Sequence, residues 1–559
     1  MNEESELEEY ALWLVILITL IGGFLRVLLL GAKGMWLDET FSVWMSSHPL
    51  PDMLQWIVRI DQHPPLYYVL LHYWITLTGD AAYDVRLLSA LFGAATIPII
   101  YLIGKRMSGV VMGLAAALIL ALSPFHIYFA QETRMYTLLT FNAAVAIYAL
   151  VRLLTDARSV EPIGSQFREY LHTWRTARTV ALEAEDDLRY AVAPPTGWRA
   201  WLSRHRWPPI QIIETDLAWV TLIVFSVATM LTHNTAVLFP IAVNVFVLSL
   251  MLFQRANKPG LQPDLQAPSW KNWVKAQIGV FALWSPWLFF FIKQASLVDQ
   301  RFWIPEPTWD TVLQTLRSFL NTSAPIPAIQ SAVIWSLYVL VLGLGVMHFR
   351  RRMERFLFLA VLFAVPFLGE LLVSIRRPIF YDRTLIWTTI PLFLLLAAGV
   401  AQFRYRFLVI VVVGILGAFN LFSVGDYYRF YQKEDWSAPA GYVANFAEKD
   451  DLLLFNSNFV IIPFNYYFKP YEDIYSIQVK KRGIPLDLFE SGVLEPEMTE
   501  GDIPALLSLL REHERVWLIY SHDAYTDPNG LIPQTLARQM KLTQQRDFYG
   551  GYVQLYENP

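Results

Sequence analysis

Three short stretches of this chain carry side chains able to move protons or hold anions. In the first, Trp36-Leu37-Asp38-Glu39-Thr40, two adjacent carboxylates directly follow an apolar run. A carboxylate there can take a proton from an attacking hydroxyl if burial against an aromatic such as Trp36 raises its pKa. The competing reading is structural: Asp38 caps a short helix and Glu39 is solvated. Downstream in the same loop, His63-Pro64-Pro65 fixes a rigid turn that holds a histidine. The second stretch, Gln131-Glu132-Thr133-Arg134-Met135-Tyr136, wedges Glu132 and Arg134 between two apolar runs. Charge at that depth is costly and usually functional, the alternative being a Glu–Arg pair that joins two helices. The third stretch, Arg376-Arg377-Pro378-Ile379-Phe380-Tyr381-Asp382-Arg383, gathers three arginines. Guanidinium groups match phosphate oxygens bidentately, so a phosphate headgroup is the expected partner. Pairing with Asp38, Glu39 or Asp382, or snorkelling, would account for the same charges.

The elements that must position these residues are membrane spans. Of 559 residues, 55% are hydrophobic and 16% charged, and mean hydropathy is +0.37. Soluble chains carry nearer a quarter charged residues, and disorder needs low hydrophobicity, so an ordinary soluble enzyme and a disordered chain are both excluded. About eleven apolar runs approach or exceed the ~18 residues that a span needs: 11–31, 84–104, 109–127, 136–154, 216–233, 236–254, 273–292, 331–348, 356–375, 385–402 and 406–424. The acidic leader MNEESELEEY argues against reading the first as a signal peptide. A net charge of -4 points to no nucleic-acid partner. With no cysteine, disulfides, zinc-thiolate sites, iron–sulfur clusters and thiol nucleophiles are excluded.

Positive charges set the expected orientation. Lys105 and Arg106, Arg255 and Lys258, Arg350 to Arg355, and Arg404 and Arg406 fall on one side if the N-terminus is cytoplasmic. Residues 1–424 then form a transmembrane domain with a first outer loop, 32–83, and a cytoplasmic loop, 155–215. Residues 425–559 form an extracytoplasmic tail. The runs 51–60 and 66–77 are too short to span and are expected to lie along the interface. In the loop 155–215, an amphipathic helix is expected around Ser165–Ala191. In the tail, LLLF (452–455), VWLIY (516–520) and YVQLY (552–556) read as strands, and IPALLSLLREH (503–513) as a helix. That pattern predicts a small α/β domain. The fold class expected is therefore a polytopic α-helical membrane protein with a small C-terminal α/β domain, placed in the plasma membrane.

Trp36-Leu37-Asp38-Glu39, His63-Pro64-Pro65-Leu66-Tyr67, Arg86-Leu87-Leu88-Ser89-Ala90-Leu91-Phe92-Gly93 and Gln131-Glu132-Thr133-Arg134-Met135-Tyr136 occur in this order. Together they resemble the polyprenyl-phosphate-sugar-dependent glycosyltransferases of the GT-C superfamily. The nearest likeness is to bacterial relatives of dolichyl-phosphate-mannose protein mannosyltransferase, with the lipid A aminoarabinose transferases as more distant cousins. The resemblance is good over residues 11–154, weakens through the middle, and returns at Arg376–Arg383 and at Gln432-Lys433-Glu434-Asp435-Trp436. It implies a GT-C-like fold, Asp38 as catalytic base with Glu39 beside it, a lipid-phosphate-sugar donor, and inversion at the anomeric carbon. Two features depart from the family. The loop 293–330 is too short for the extra soluble domain of the protein mannosyltransferases. His63 stands where the aminoarabinose enzymes have lysine, and they carry an aspartate in the region of Gln131–Tyr136.

The chemistry expected is transfer of one sugar from a polyprenyl phosphate to an acceptor hydroxyl on protein, lipid or glycan of the cell envelope. His63, Glu132, Arg134, Arg377, Tyr381 and Arg383 are the candidate donor-phosphate and substrate residues. No cofactor is firmly predicted. A divalent cation could be held by Asp38, Glu39 and Glu132, but a DxD-type spacing is absent and arginines can neutralise the same phosphate. His126 and His233 are read as structural and His72 as a surface residue. The alternatives from other classes are a transporter or flippase of lipid-linked sugars, and a non-catalytic scaffold that holds them. Transporters place ionisable residues near the midplane; here they cluster at the outer span ends.

Overall fold

The computed structural model describes residues 3–156, 159, 161–188, 214–256, 264–297, 304, 306–321, 328–403, 405–456, 458–488 and 496–559. This is a multi-pass membrane protein. Nine helices among the described residues are long and apolar enough to cross a membrane, or ten if the bent pair Val110–Ala121 and Pro124–Ala130 counts as one span. Each of these follows one of the apolar runs read from the sequence. The run 216–233 forms the helix Glu214–Met230, of 17 residues. At 1.5 Å rise per residue the described helix covers about 25 Å, and residues 211–213 before it lie outside the described residues.

The eight N-terminal helices position the polar stretches. They are α1 (Glu3–Val27), α2 (Leu37–Ser46), α3 (Leu50–Ile60), α4 (Leu66–Thr78), α5 (Ala82–Ser108), α6 (Val110–Ala121), α7 (Pro124–Ala130) and α8 (Tyr136–Thr155). Short α3 and α4 follow the runs expected at the interface. Gly109, at φ +90°, turns α5 back into α6. The return is tight: a Cβ on Gly113 would lie 2.7 Å from the Tyr101 carbonyl oxygen, so only glycine permits this approach. Pro124 opens α7 at a 56° bend from α6. At the end of α6, buried Arg26 donates to the carbonyls of Leu120 and Ala121 at 3.0 and 3.1 Å. A guanidinium inside a span is stabilised here by ending a helix.

The two ends of the bundle differ in charge. At one end Lys105 meets Glu8 (3.1 Å), Arg106 donates to Thr155 (2.8 Å), and His348 bridges Ser108 and Gln402 (2.6 and 3.2 Å). Gln254 and Glu354 both hold Leu265 there. These contacts bring the loops of Lys105–Arg106, Arg255 and Arg350–Arg355 to one end. Lys258 and Arg404 lie outside the described residues. The helix Ser165–Leu188 occupies most of the expected amphipathic segment, whose last three residues also lie outside.

At the other end are α2–α4, residues 131–135, the Arg383 segment and the tail. The tail is a five-stranded mixed sheet, β1 (Leu452–Phe455), β2 (Lys480–Gly483), β3 (Arg515–Tyr520), β4 (Lys541–Phe548) and β5 (Gly551–Glu557), in the order β2-β1-β3-β5-β4. β1 is parallel to β2 and β3; β5 is antiparallel to β3 and β4. Strand alternation divides its core in two. Leu453, Phe455, Trp517 and Ile519 pack under the helices Ser437–Phe446 and Ile461–Tyr475. Leu452, Leu454, Val516 and Leu518 pack on Ile503–Arg511 and Leu531–Gln539. The Tyr467 hydroxyl accepts from the Met35 amide at 2.7 Å, and the Tyr466 hydroxyl donates to the Asp80 carbonyl at 2.8 Å. The tail thus docks on the loop that carries Asp38, and the two share one face whatever the span count.

Candidate active site

Asp38 lies in the first turn of α2, whose N-cap is Trp36, and its side chain caps nothing. The capping alternative therefore gives way to ion pairing. Arg383 Nη1 donates to Asp38 Oδ2 at 3.2 Å, and Arg134 Nη2 is 3.7 Å from the same oxygen. The Asp38 side chain is 26% exposed, so substrate can reach it, whereas Arg134 is 3% exposed. Arg134 also donates to the Asp38 carbonyl (3.4 Å) and to Ser42 Oγ (3.3 Å). The Arg383 guanidinium lies over Tyr381 (4.8 Å), Tyr136 (5.7 Å) and Trp36 (6.0 Å). Burial alone would raise the Asp38 pKa, as expected from Trp36. The charges of Arg134 and Arg383 outweigh it and hold the carboxyl below the usual aspartate range. The upward shift expected from the sequence is therefore corrected.

Glu39, adjacent in sequence, faces away into a separate charge cluster. Arg86 grips it with two bonds of 2.7 Å, the Thr133 amide donates at 2.9 Å, and Lys433 Nζ donates at 2.8 Å. Glu39 is fully buried. Burial pushes its carboxyl up, but Lys433 and Arg86 hold it down at about 2. Lys433 also lies 3.5 Å from Glu132, which is fully buried with neither oxygen in hydrogen-bonding geometry. Burial raises the Glu132 carboxyl above the ordinary glutamate value, against the pull of Lys433. Glu132 and Arg134 do not form the pair that their spacing allowed: one meets Lys433, the other Asp38.

His63 stands at the edge of the Asp38 cluster. Its Nδ1 is 2.9 Å from Asp61 Oδ1, and its ring meets that of His233 edge to face at 5.3 Å. The Thr235 amide donates to His233 Nδ1 at 3.3 Å, and burial pushes this histidine well below its usual pKa. His126 is structural as read, bonded to Thr389 at 2.7 Å. His72 is tied to the Ser46 carbonyl at 2.8 Å and is only partly exposed, contrary to the surface reading.

Asp38, Arg134, Arg383, Tyr381 and His63 thus gather at one place, with Glu39 and Glu132 behind them. Arg377 does not join them: it is exposed and donates to the Ala295 carbonyl. Sequence reasoning missed Arg86, Asp61 and Lys433 as members of the cluster. Arg86 and Lys433 stand inside motifs already noted, but only their buried partner Glu39 shows their part. Among the described residues no three His, Asp or Glu side chains converge as cation ligands. Glu39 has its lone pairs taken by Arg86, Lys433 and an amide, so this donor set does not suit a metal ion.

Residues 62–163 match the model of the dolichyl-phosphate-mannose-protein mannosyltransferase family. That segment holds His63, Arg86, Glu132 and Arg134. Across the whole chain, the structure is similar to ArnT from Cupriavidus metallidurans in the apo state, with a TM-score of 0.58, 11% identity, and 97% of each chain covered. Its fold is that of the GT-C superfamily. The GT-C likeness extends to ArnT bound to undecaprenyl phosphate, at a TM-score of 0.55, 11% identity and again 97% of each chain. The archaeal oligosaccharyltransferase AglB from Archaeoglobus fulgidus is also similar, at a TM-score of 0.49 and 9% identity, over 99% of this chain and 75% of that one. No curated protein sequence matches. The matched family model is that of a mannosyltransferase.

Proposed function

We propose that this protein is a membrane glycosyltransferase that moves one sugar from a polyprenyl-phosphate donor to an acceptor hydroxyl, with inversion. The observation that carries the reading is the partly exposed Asp38 carboxylate set against Arg383 and Arg134 at one end of the bundle. ArnT has been crystallised with undecaprenyl phosphate, which supports a lipid phosphate as the leaving group here.

The arginines serve two anions in turn. In the resting protein they neutralise Asp38 and make it a poor base. The phosphodiester of the donor offers a second anion of matching shape to Arg383 and Arg134, and it gains charge as the sugar leaves, so the guanidinium groups turn from Asp38 onto it. Asp38 is thereby released, and its pKa rises as its cations turn away. It accepts the proton of the acceptor hydroxyl while that oxygen bonds to the anomeric carbon. The bond from this carbon to the phosphate oxygen breaks on the opposite face, and its electron pair leaves with the lipid phosphate. Fixed guanidinium groups stabilise that developing charge. His63, held by Asp61, lends a further donor to the phosphate, and Tyr381 keeps Arg383 in place. Arg377 adds positive charge on the approach rather than a contact at the reacting atoms. Glu39 and Glu132 hold the frame.

The cationic loops gather at the end opposite Asp38. The preference of Lys and Arg for the cytoplasm supports an extracytoplasmic site and tail, in the plasma membrane. The test uses purified full-length protein with a panel of undecaprenyl-phosphate-linked hexoses and pentoses and a membrane extract as acceptor. Free undecaprenyl phosphate is expected to be released from at least one donor, and not by Asp38→Asn. Folded wild type that releases none from any donor would refute the reading.

A further inference from the structure

Asp38 is held in place from the far end of the chain. α2 begins without a side-chain cap of its own, because Trp36 at the N-cap offers no acceptor. The Leu37 amide instead donates to Glu434 Oε2 at 3.3 Å. One residue earlier in the tail, Lys433 donates to Glu39 at 2.8 Å. Two consecutive tail residues therefore grip the residues on either side of Asp38.

Glu434 is itself fixed by the C-terminal domain. Its Oε2 also accepts from Trp436 Nε1 at 2.9 Å, and its Oε1 lies 3.2 Å from His522 Nε2. His522 follows β3 in the left-handed region, at φ 56°, where a non-glycine residue is rare and strained. Its Nδ1 is 2.8 Å from Ser521 Oγ. The seat is close-fitting: a Cβ on Gly34 would lie 3.2 Å from the Glu434 carbonyl oxygen, and one on Gly550 would lie 3.3 Å from Glu434 Cγ. A carboxylate at a helix N-terminus also meets the positive end of the helix dipole. Contacts thus run without a break from β3 through His522 and Glu434 to the amide preceding Asp38.

We propose that Glu434 is a positioning residue for Asp38, through which the C-terminal domain sets the geometry of the base. This rests on the reading of Asp38 given above. Glu434 touches neither Arg134, Arg383 nor His63, so it governs the chemical step and not the grip on the donor phosphate.

The full-length protein is assayed with the donor found active above, and undecaprenyl phosphate serves as the binding probe. Glu434→Ala is expected to lower kcat about ten- to a hundredfold, the scale on which small misplacements act. KM for the donor and the affinity for undecaprenyl phosphate should stay at wild-type values. Glu434→Gln, which keeps a carbonyl oxygen for the Leu37 amide, should recover most of kcat. Hydrogen exchange at Leu37 should quicken in Glu434→Ala while the Trp517 strand keeps its protection. In an Asp38→Asn background, Glu434→Ala should cost nothing further. An unchanged kcat, a donor affinity that falls in step with kcat, or unaltered exchange at Leu37 would each overturn the proposal. If Asp38→Asn alone keeps its turnover, the reading of Asp38 fails instead, and the exchange at Leu37 still decides whether Glu434 caps α2.

Discussion

Arg383 Nη1 lies 3.2 Å from Asp38 Oδ2, across 345 residues of chain. This single contact joins the candidate base to the candidate phosphate ligand. Among the charge pairings considered for these arginines, that of Arg383 with Asp38 forms. Ion pairing and phosphate binding are not rivals here, because one guanidinium can serve both anions in sequence.

Asp38→Asn separates the two partners. Turnover should fall at least a hundredfold, the lower end of general-base contributions. Affinity for undecaprenyl phosphate should hold or improve, since the carboxylate that competes for Arg383 and Arg134 is gone. Lipid-binding titrations on the turnover samples test this. A mutant that keeps more than about a tenth of wild-type turnover, or binds the lipid phosphate more weakly, contradicts the assignment.

Arg383→Ala should weaken undecaprenyl phosphate binding about tenfold or more, from the loss of a charge-assisted hydrogen bond of about 1.5–3 kcal/mol. Lysine should restore only part, because a point charge cannot reproduce the planar fork. Arg377→Ala, at an exposed arginine bonded to a backbone carbonyl, should stay within about twofold of wild type. Affinities and melting temperatures measured on all three variants decide the matter. Equal loss of affinity for Arg377→Ala and Arg383→Ala would remove the distinction between them.

Glu39→Gln should act on stability first. Breaking a buried carboxylate away from Arg86 and Lys433 costs about 3–5 kcal/mol, which a lowered melting temperature reports. The acid side gives a second signature. The Glu39 carboxyl is held at about 2 in the folded protein, below its usual value of 4.5. Its contribution is therefore complete above about pH 4.5 and is lost as the pH falls towards 2. Melting temperature should drop through that window in wild type and less steeply in Glu39→Gln. Parallel curves would mean that Glu39 does not carry this charge cluster.

The face that holds Asp38 can be located with cysteines, since the chain has none of its own. Asn529→Cys, at an exposed position of the C-terminal domain, should react with a membrane-impermeant thiol reagent in intact cells. Arg351→Cys, at the cationic end, should react only after lysis. The opposite pattern would put the site in the cytoplasm.

Local pattern alone determined the class of this protein. Runs of apolar residues mark spans because each backbone group in a membrane must bond within its own helix, which gives long continuous signals. In the tail, β1, β3 and β5 were visible because their side chains fill a core. β2 and β4 were not, because as edge strands their KKRG and KLTQQRDF carry largely exposed polar residues without alternation. The motifs identified Asp38, Glu39, His63, Glu132, Arg134 and Arg383 as polar residues in apolar surroundings, where charge needs a partner. They could not say which partner. The tertiary structure sent neighbours Asp38 and Glu39 to different clusters, one at an accessible edge and one sealed inside. It paired Glu39 with Lys433, 394 residues away, and left Arg377 outside the site. It also reversed the expected shift of the Asp38 pKa. Sequence records which charges exist, but their interaction falls with distance and grows as water is excluded. Both are set only when the helices and the tail have packed.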